Sequence, residues 1–92
     1  MDEITGRIPP HNTEAEQSVL GSMLVDKNAA AIAAEKLIDE SFYNHAHQEI
    51  FSAMCALFSR GVPIDLVTVF DELERRGKID AVGGISYLSE LS

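Results

Sequence analysis

Residues 44–61, NHAHQEIFSAMCALFSRG, have the pattern of a single long helix. At about 100° per residue its apolar side chains fall on one broad stripe, which predicts a face buried in the core. The stripe comprises Ala46, Ile50, Phe51, Ala53, Met54, Leu57 and Phe58. Asn44 is suited to cap the amino end, and Gly61 can adopt the left-handed conformation that ends a helix. The other apolar segments are shorter, so we expect them to pack around this one.

A first helix is predicted near the amino end of the domain. Asn12 or Thr13 would cap it, with Thr13 and Glu16 spaced as a capping box, and the helix would end near Val25. Its predicted buried face comprises Ala15, Val19, Leu20, Met23 and Leu24. The polar residues before it, 1–11, predict an arm, and residues 12–92 predict the helical domain.

A second helix is predicted from composition. After a turn at residues 26–28, the segment AAAIAAEKL is so rich in alanine that it favours a helix to about Leu37. An irregular connection, IDESFY, follows it. Phe42 and Tyr43 at the end of this connection are predicted to enter the core just before the long helix begins.

A fourth helix is predicted between a proline and a glycine. Pro63 breaks the chain, Asp65 caps the helix, and Gly77 closes it. Its predicted inward face comprises Leu66, Val69, Phe70 and Leu73.

The last segment, ISYLSELS, has apolar residues at helical spacing, namely Ile85, Leu88 and Leu91. The sequence stops within this pattern without a cap or a breaker, so we expect the chain to be a piece of a longer protein. No stretch alternates convincingly with a period of two residues. The sequence therefore predicts an all-α fold, a compact orthogonal bundle of about five to six helices around a long central helix.

Charge and composition favour a domain that binds other proteins. Seven basic and fifteen acidic residues give a net charge of −8, and a surface of this sign repels phosphates. Direct binding of nucleic acid by this chain is therefore not predicted. Cys55 is the single cysteine, so no internal disulfide can form. With neither a secretory signal nor an apolar run of about 18 to 20 residues, the sequence predicts a cytoplasmic chain that does not span a membrane.

His45, His47 and Glu49 are the residues that most resemble metal ligands. His45 and His47 project roughly 200° apart on a helix, so one ion cannot be held by both. His45 and Glu49 share a face but need a third ligand, for which His11 is the remaining histidine. A small metal-dependent enzyme built on His45 and Glu49 is therefore only an alternative. His47 falls on the apolar stripe and is predicted to be a hydrogen-bonded core histidine.

Other possible catalytic groups have simpler interpretations. The carboxylates of the fourth helix are predicted to form a solvated face next to Arg75 and Arg76; they are Asp65, Asp71, Glu72 and Glu74. Cys55 is predicted to be a small apolar filler. No phosphate loop is present, and a helix-turn-helix is disfavoured because its second helix would begin with an acid. We therefore predict no catalytic, cofactor-binding or metal-binding residue in this chain.

Four blocks, taken together, carry a family resemblance: IPPHNTEAEQSVLGSML, FYNHAHQEIFSAM, GVPIDLVTV and GGISYLSEL. Their sequence and order resemble the N-terminal domain of the bacterial replicative DNA helicase of the DnaB type, over residues 7–92. The resemblance implies a helical bundle without catalytic residues, which a helical hairpin, a linker and a RecA-like ATPase domain follow. In that family ATP and Mg²⁺ belong to the ATPase domain, so no cofactor is expected for residues 1–92.

The resemblance also implies partners. In the family, copies of this domain pair and form a collar above a hexameric motor ring, and in many bacteria the collar docks the primase. Neither the hairpin nor the motor lies within these 92 residues. The chain is therefore expected to be a non-catalytic assembly and docking domain, whose parent protein is an ATP-dependent helicase. The alternative is a free-standing acidic helical adaptor that binds some other protein.

Two residues are predicted to contact a partner. Tyr87 lies roughly 70° from the centre of the inward face of the last segment, at an edge where an aromatic ring can be half exposed and act as an anchor. Tyr87 could equally well only cover the core. Glu14 is a weaker candidate for contact with a basic partner, because its place in the first helical turn already has a structural explanation.

Overall fold

The structure, a computed structural model, describes residues 12–92, and the regular secondary structure of this range is entirely helical. It contains five α-helices: α1 (Thr13–Val25), α2 (Lys27–Lys36), α3 (His45–Ser59), α4 (Leu66–Arg75) and α5 (Gly84–Leu91). A short 3-10 turn at Asp39–Ser41 precedes α3. The predicted all-α bundle is confirmed. The predicted arm at residues 1–11 lies outside the described residues.

The longest helix, α3, occupies the centre of the domain and packs against α1, α2 and α4. The Asn44 side chain caps it by accepting hydrogen bonds from the N–H groups of Ala46, at 2.8 Å, and His47, at 3.3 Å. Gly61 has a φ of 73° just after the helix, as predicted. The buried residues of α3 are His47, Ile50, Phe51, Ala53, Met54 and Leu57.

The prediction that Phe58 is buried is wrong, because its side chain is 41% exposed. Phe58 lies in the last turn of α3, at the edge of the apolar stripe. There it borders a surface groove with Val62 and Ile64 instead of packing beneath another helix.

The helices α1 and α2 are joined by a single residue, Asp26. Its N–H donates to the Ser22 carbonyl and closes α1, and its carboxylate accepts hydrogen bonds from the N–H groups of Asn28 and Ala29 in the first turn of α2. The connection is therefore shorter than the predicted turn at residues 26–28. The predicted capping box of Thr13 and Glu16 is wrong, because Asn12 caps α1 and the Glu16 side chain is turned into the core.

Phe42 is fully buried, as predicted, but Tyr43 is 61% exposed, so its predicted place in the core is wrong. The backbone at Phe42 is extended, which sends successive side chains to opposite sides of the chain. The Phe42 carbonyl accepts a hydrogen bond from the Gln48 side chain at 2.8 Å.

The helices α4 and α5 complete the core. Asp65 caps α4 as predicted, and it exchanges side-chain and backbone hydrogen bonds with Thr68 at 2.9 and 3.0 Å. The buried apolar residues contributed by this part of the chain are Val69, Leu73, Val82, Leu88 and Leu91. The predicted burial of Ile85 is wrong, since it is 46% exposed. Ile85 lies in the first turn of α5, and Val82, just before that helix, takes the place in the core.

Among residues 12–92, no helix is long and apolar enough to cross a membrane.

The close contact between α1 and α5 depends on Gly21. A Cβ atom added at Gly21 would lie 2.2 Å from the carbonyl oxygen of Leu91, far inside van der Waals contact. The obstructing atom belongs to the backbone, so it cannot move aside by a change of rotamer. The absence of a side chain at position 21 therefore allows α5 to approach α1 at this distance.

We expect Gly21→Ala to lower the free energy of unfolding by about 1–3 kcal/mol, the usual cost of overpacking a well-packed site. This loss exceeds the gain of up to about 1 kcal/mol that alanine brings to a helix interior. Urea denaturation followed by circular dichroism measures the difference. Ser22→Ala, at an exposed position of the same helix, is the control and should not destabilise the domain; equal stability of both variants would contradict the close contact.

Candidate functional site

A hydrogen-bonded chain of three side chains crosses the interior and joins three helices. Glu16 of α1 and His47 of α3 are both fully buried, and Glu16 Oε1 lies 2.7 Å from His47 Nδ1. On the other side of the imidazole, His47 Nε2 lies 2.6 Å from the hydroxyl of Tyr87 on α5. The His47 and Tyr87 rings are stacked, with centroids 5.8 Å apart and planes inclined by 13°.

The ends of this chain are bound as well. Glu16 Oε2 accepts the N–H of Tyr43 at 2.7 Å, and Oε1 accepts the N–H of Asn44 at 3.4 Å. The Gln17 side-chain amide donates to the Tyr87 hydroxyl at 3.0 Å. The carboxylate therefore also fixes the backbone that leads into α3.

The following arrangement of protons satisfies every group. An ionised Glu16 can only accept, so His47 Nδ1 carries the hydrogen and donates it. His47 Nε2 is then an acceptor for the Tyr87 O–H, and the Tyr87 oxygen accepts from Gln17. Within residues 12–92, no buried side-chain nitrogen or oxygen lacks a partner. The prediction of a hydrogen-bonded core histidine at position 47 is confirmed.

The geometry gives no support to the metal-site alternative. His45 is exposed and His47 is buried, so the two imidazoles face different environments. Both nitrogens of His47 already have partners in the buried chain. In the described part of the chain, no group of three or more His, Cys, Asp and Glu residues is arranged to hold a metal ion.

Cys55 has the surroundings of a structural residue. Its side chain is partly buried on α3, and burial, with a smaller contribution from the negative charge of Asp39, raises the pKa of the thiol. A raised pKa leaves less of the reactive thiolate at neutral pH. This agrees with the predicted role as an apolar filler.

A second polar cluster joins the carboxyl ends of α3 and α4. Glu72 is buried, which corrects the prediction that it belongs to a solvated face. Its Oε2 accepts a hydrogen bond from Arg76 Nε at 2.9 Å. Its Oε1 accepts hydrogen bonds from Arg75 Nη2 and, at 3.4 Å, from Arg60 Nη2. Arg76 also donates to the Ser52 hydroxyl at 3.1 Å and so reaches back to α3. We call Glu72, Arg60, Arg75 and Arg76 the arginine cluster.

The hydrogen bond from Arg76 lowers the pKa of Glu72; burial partly opposes this, and Arg75 adds to it. A carboxylate whose pKa is lower in the folded state stabilises the fold at a pH above its unfolded value, and the stabilisation is lost as the pH falls through the folded value.

The two predicted partner-contact residues lie near one groove between α1 and α5. The groove is lined by Glu14, Gln17, Ser18, Glu90 and Leu91. Glu14 is exposed on it, and Tyr87 is half-buried next to it, bound to Gln17. The structure brings both residues to this face; whether a partner binds there remains a prediction.

Sequence reasoning missed Glu16, Gln17 and Glu90 as parts of this region. A signal for Glu16 was available, because it precedes Leu20 by four residues and Met23 by seven. These spacings place it on the buried face of a helix. An acid at such a position requires an interior partner, and the predicted core histidine at position 47 supplies one.

Known proteins resemble this chain both in sequence and in structure. The family model described as "DnaB-like helicase N terminal domain" matches residues 8–92. The replicative DNA helicase DnaC of Bacillus subtilis is 46% identical over 91 residues, which are 99% of this chain and 20% of that protein. The replicative DNA helicase DnaB of Geobacillus stearothermophilus is 52% identical over 86 residues, which are 94% of this chain and 19% of that protein. The chain thus spans about one fifth of the length of these relatives.

A solved structure also matches. The crystal structure of the N-terminal domain of DnaB helicase from Mycobacterium tuberculosis aligns with a TM-score of 0.85 and 48% identity. The alignment covers 91% of this chain and 58% of that one.

We expect Tyr87→Phe to lower the free energy of unfolding by about 1–3 kcal/mol, because the buried His47 Nε2 loses its hydrogen-bond partner. In a domain of this size, 1 kcal/mol corresponds to a fall of about 4–8 °C in the midpoint of thermal unfolding. Ser86→Ala removes an exposed hydroxyl from the same helix and should change stability little. A Tyr87→Phe midpoint equal to that of the unchanged protein would contradict the role of the hydroxyl.

We expect the destabilisation caused by Glu72→Gln to depend on pH. At pH 7 the ionised Glu72 stabilises the fold, whereas near pH 3, below the ordinary pKa of a glutamate, part of this stabilisation is lost, so the unchanged protein and the variant should become closer in stability. Urea unfolding at both pH values measures this convergence. Glu74→Gln, an exposed change on the same helix, should show a small difference at both; a constant difference for Glu72→Gln would contradict the assignment.

Proposed function

This chain belongs to the family of DnaB-like helicase N-terminal domains, and we propose that it is a non-catalytic assembly and docking domain of a hexameric replicative DNA helicase. The family match confirms the resemblance inferred from four blocks of sequence. Because the chain spans about one fifth of the length of its relatives, the proposal assigns ATP, Mg²⁺ and strand separation to a motor domain elsewhere in the parent protein. Primase and other helicase subunits are the proposed partners, in the cytoplasm.

The observation that supports a docking role is the composition of the face between α1 and α5. Glu14 and Glu90 border the groove, and the half-buried Tyr87 is bound to its wall through Gln17 at 3.0 Å. A fixed aromatic ring can act as an anchor for a partner, and the acids around it would attract a basic surface. We therefore propose this face, with Tyr87 and Glu14, as the primase-binding surface.

Charge also supports protein partners over nucleic acid. The net charge of −8 opposes contact with phosphates, so the proposed domain does not bind DNA directly. Assembly with other copies of the domain, in the collar that the family resemblance implies, would place the heads together above the motor.

The buried chain restricts how Tyr87 could contact a partner. Its hydroxyl already accepts a hydrogen bond from Gln17 and is hydrogen-bonded to His47 Nε2. A partner would therefore contact the edge of the ring. Removal of the ring and removal of the hydroxyl should consequently have different effects on binding.

The test is a calorimetric titration of the chain with the helicase-binding domain of the primase from the same organism, at a temperature where every variant is folded. We expect Tyr87→Ala to weaken binding about tenfold, or about 1.4 kcal/mol, whereas Tyr87→Phe keeps the ring edge and binds nearly normally. Glu14→Gln should weaken binding less, and its effect should shrink as salt is added, since exposed charges are screened.

Glu35→Gln is the matched control for Glu14→Gln, because it removes the same charge from an exposed position on α2. Unchanged affinity of folded Tyr87→Ala would remove the α1–α5 face from the proposal. Binding that requires a longer chain, which includes the hairpin of the family, would move the docking surface away from residues 12–92.

A further inference from the structure

The basic residues of this acidic domain are concentrated in one region. Within residues 12–92 there are six lysines and arginines, and four of them lie between positions 60 and 78. Three of these form the arginine cluster around Glu72, at the carboxyl ends of α3 and α4. This region is a separate feature from the acidic groove between α1 and α5.

The three arginines are used differently. Arg76 has a structural role, because it donates hydrogen bonds to Glu72 and to both the hydroxyl and the carbonyl of Ser52. Arg60 and Arg75 each donate one Nη2 atom to the same oxygen, Glu72 Oε1. Their side chains are 47% and 60% exposed.

Arg60 and Arg75 keep most of their hydrogen-bonding capacity. A guanidinium group has five N–H donors, and within residues 12–92 the Nε and Nη1 atoms of these two residues have no protein acceptor. Because both groups bind one oxygen of a buried carboxylate, they are held close together despite their equal charge. The two guanidinium groups are thus pre-positioned and open to solvent.

The cluster offers an anion open hydrogen-bond donors and no excess of charge. At its centre three arginines share one carboxylate. The carboxyl ends of α3 and α4 and the exposed Asp71 and Glu74 add negative charge nearby. A further carboxylate would therefore be held by the unused donors of Arg60 and Arg75.

We propose that Arg60 and Arg75 form a binding surface for a single, isolated carboxylate side chain of a partner protein. Paired guanidinium groups bind carboxylates with good geometry and with charge-assisted hydrogen bonds. A long polyanion such as nucleic acid fits less well, since Asp71 and Glu74 are exposed beside Arg75 on α4 and would repel its neighbouring phosphates. This proposal is independent of primase binding at the α1–α5 face.

The test uses the ¹⁵N-labelled chain and the probe peptide acetyl-Gly-Glu-Gly-Glu-Gly-amide, observed by NMR through the arginine Nε–Hε signals. We expect the signals of Arg60 and Arg75 to shift saturably with this peptide. The shift should be at least about fivefold smaller with the peptide in which both Glu residues are replaced by Gln, since charge-assisted hydrogen bonds are the stronger ones.

The double variant Arg60→Gln/Arg75→Gln should bind the Glu peptide at least about tenfold more weakly. Lys27→Gln/Lys36→Gln is the matched control, because it removes the same charge from the exposed ends of α2 and should bind normally. Should the arginine variant fail to fold, the comparison of the two peptides on the unchanged protein decides the question.

Three results would overturn the proposal. Equal shifts with the Glu and Gln peptides would show that no carboxylate is recognised. Equally weak binding of the Glu peptide by the lysine variant would show that the peptide responds only to the overall charge of the domain. Tighter binding of a four-nucleotide oligothymidylate at Arg60 and Arg75 would make the surface a nucleic-acid site instead.

Discussion

The hydrogen bond between Glu16 and His47 is the constraint on which the arrangement of the helices depends. A buried carboxylate without a partner is costly, so α1 and α3 must meet at the one register that brings these side chains within 2.7 Å. The same carboxylate holds the backbone at Tyr43 and Asn44, where α3 begins. Much of the favourable energy of the Glu16–His47 hydrogen bond is offset by the cost of removing the carboxylate from water. The contribution of this bond to the fold is therefore mainly the choice of one packing arrangement over others.

The short helix α5 shows how this constraint reaches the surface. Eight residues are too few for a stable isolated helix, so α5 depends on its contacts with the rest of the domain. Tyr87 extends the buried chain to this helix, and Gly21 lets it lie directly against α1. The groove that carries Glu14 and Glu90 exists because these two contacts hold α5 in place. The shape of the proposed docking face therefore depends on these two contacts of α5.

Much of the fold was predictable because its signals are local. Asn44 and Asp65 were identified as caps, and the spacing of apolar residues located each helix. The errors concern long-range packing: Phe58, Tyr43 and Ile85 were predicted to be buried, but their side chains are 41%, 61% and 46% exposed. Glu72 was assigned to a solvated face because the sequence shows Arg75 and Arg76 nearby but cannot show that Arg60 joins them. At the candidate site, Tyr87 and Glu14 were predicted as contact residues. Glu16, which binds His47 beneath this face, was instead assigned to a capping box of α1.

The single-residue junction at Asp26 has a consequence for how this domain can vary. One side chain caps α2 while the backbone of the same residue closes α1, so neither helix has spare chain between them. An inserted residue would separate these two roles, and a deleted one would remove both. Changes of length are therefore better accommodated in the turns between α4 and α5. The angle between α1 and α2, in contrast, depends on the single residue Asp26.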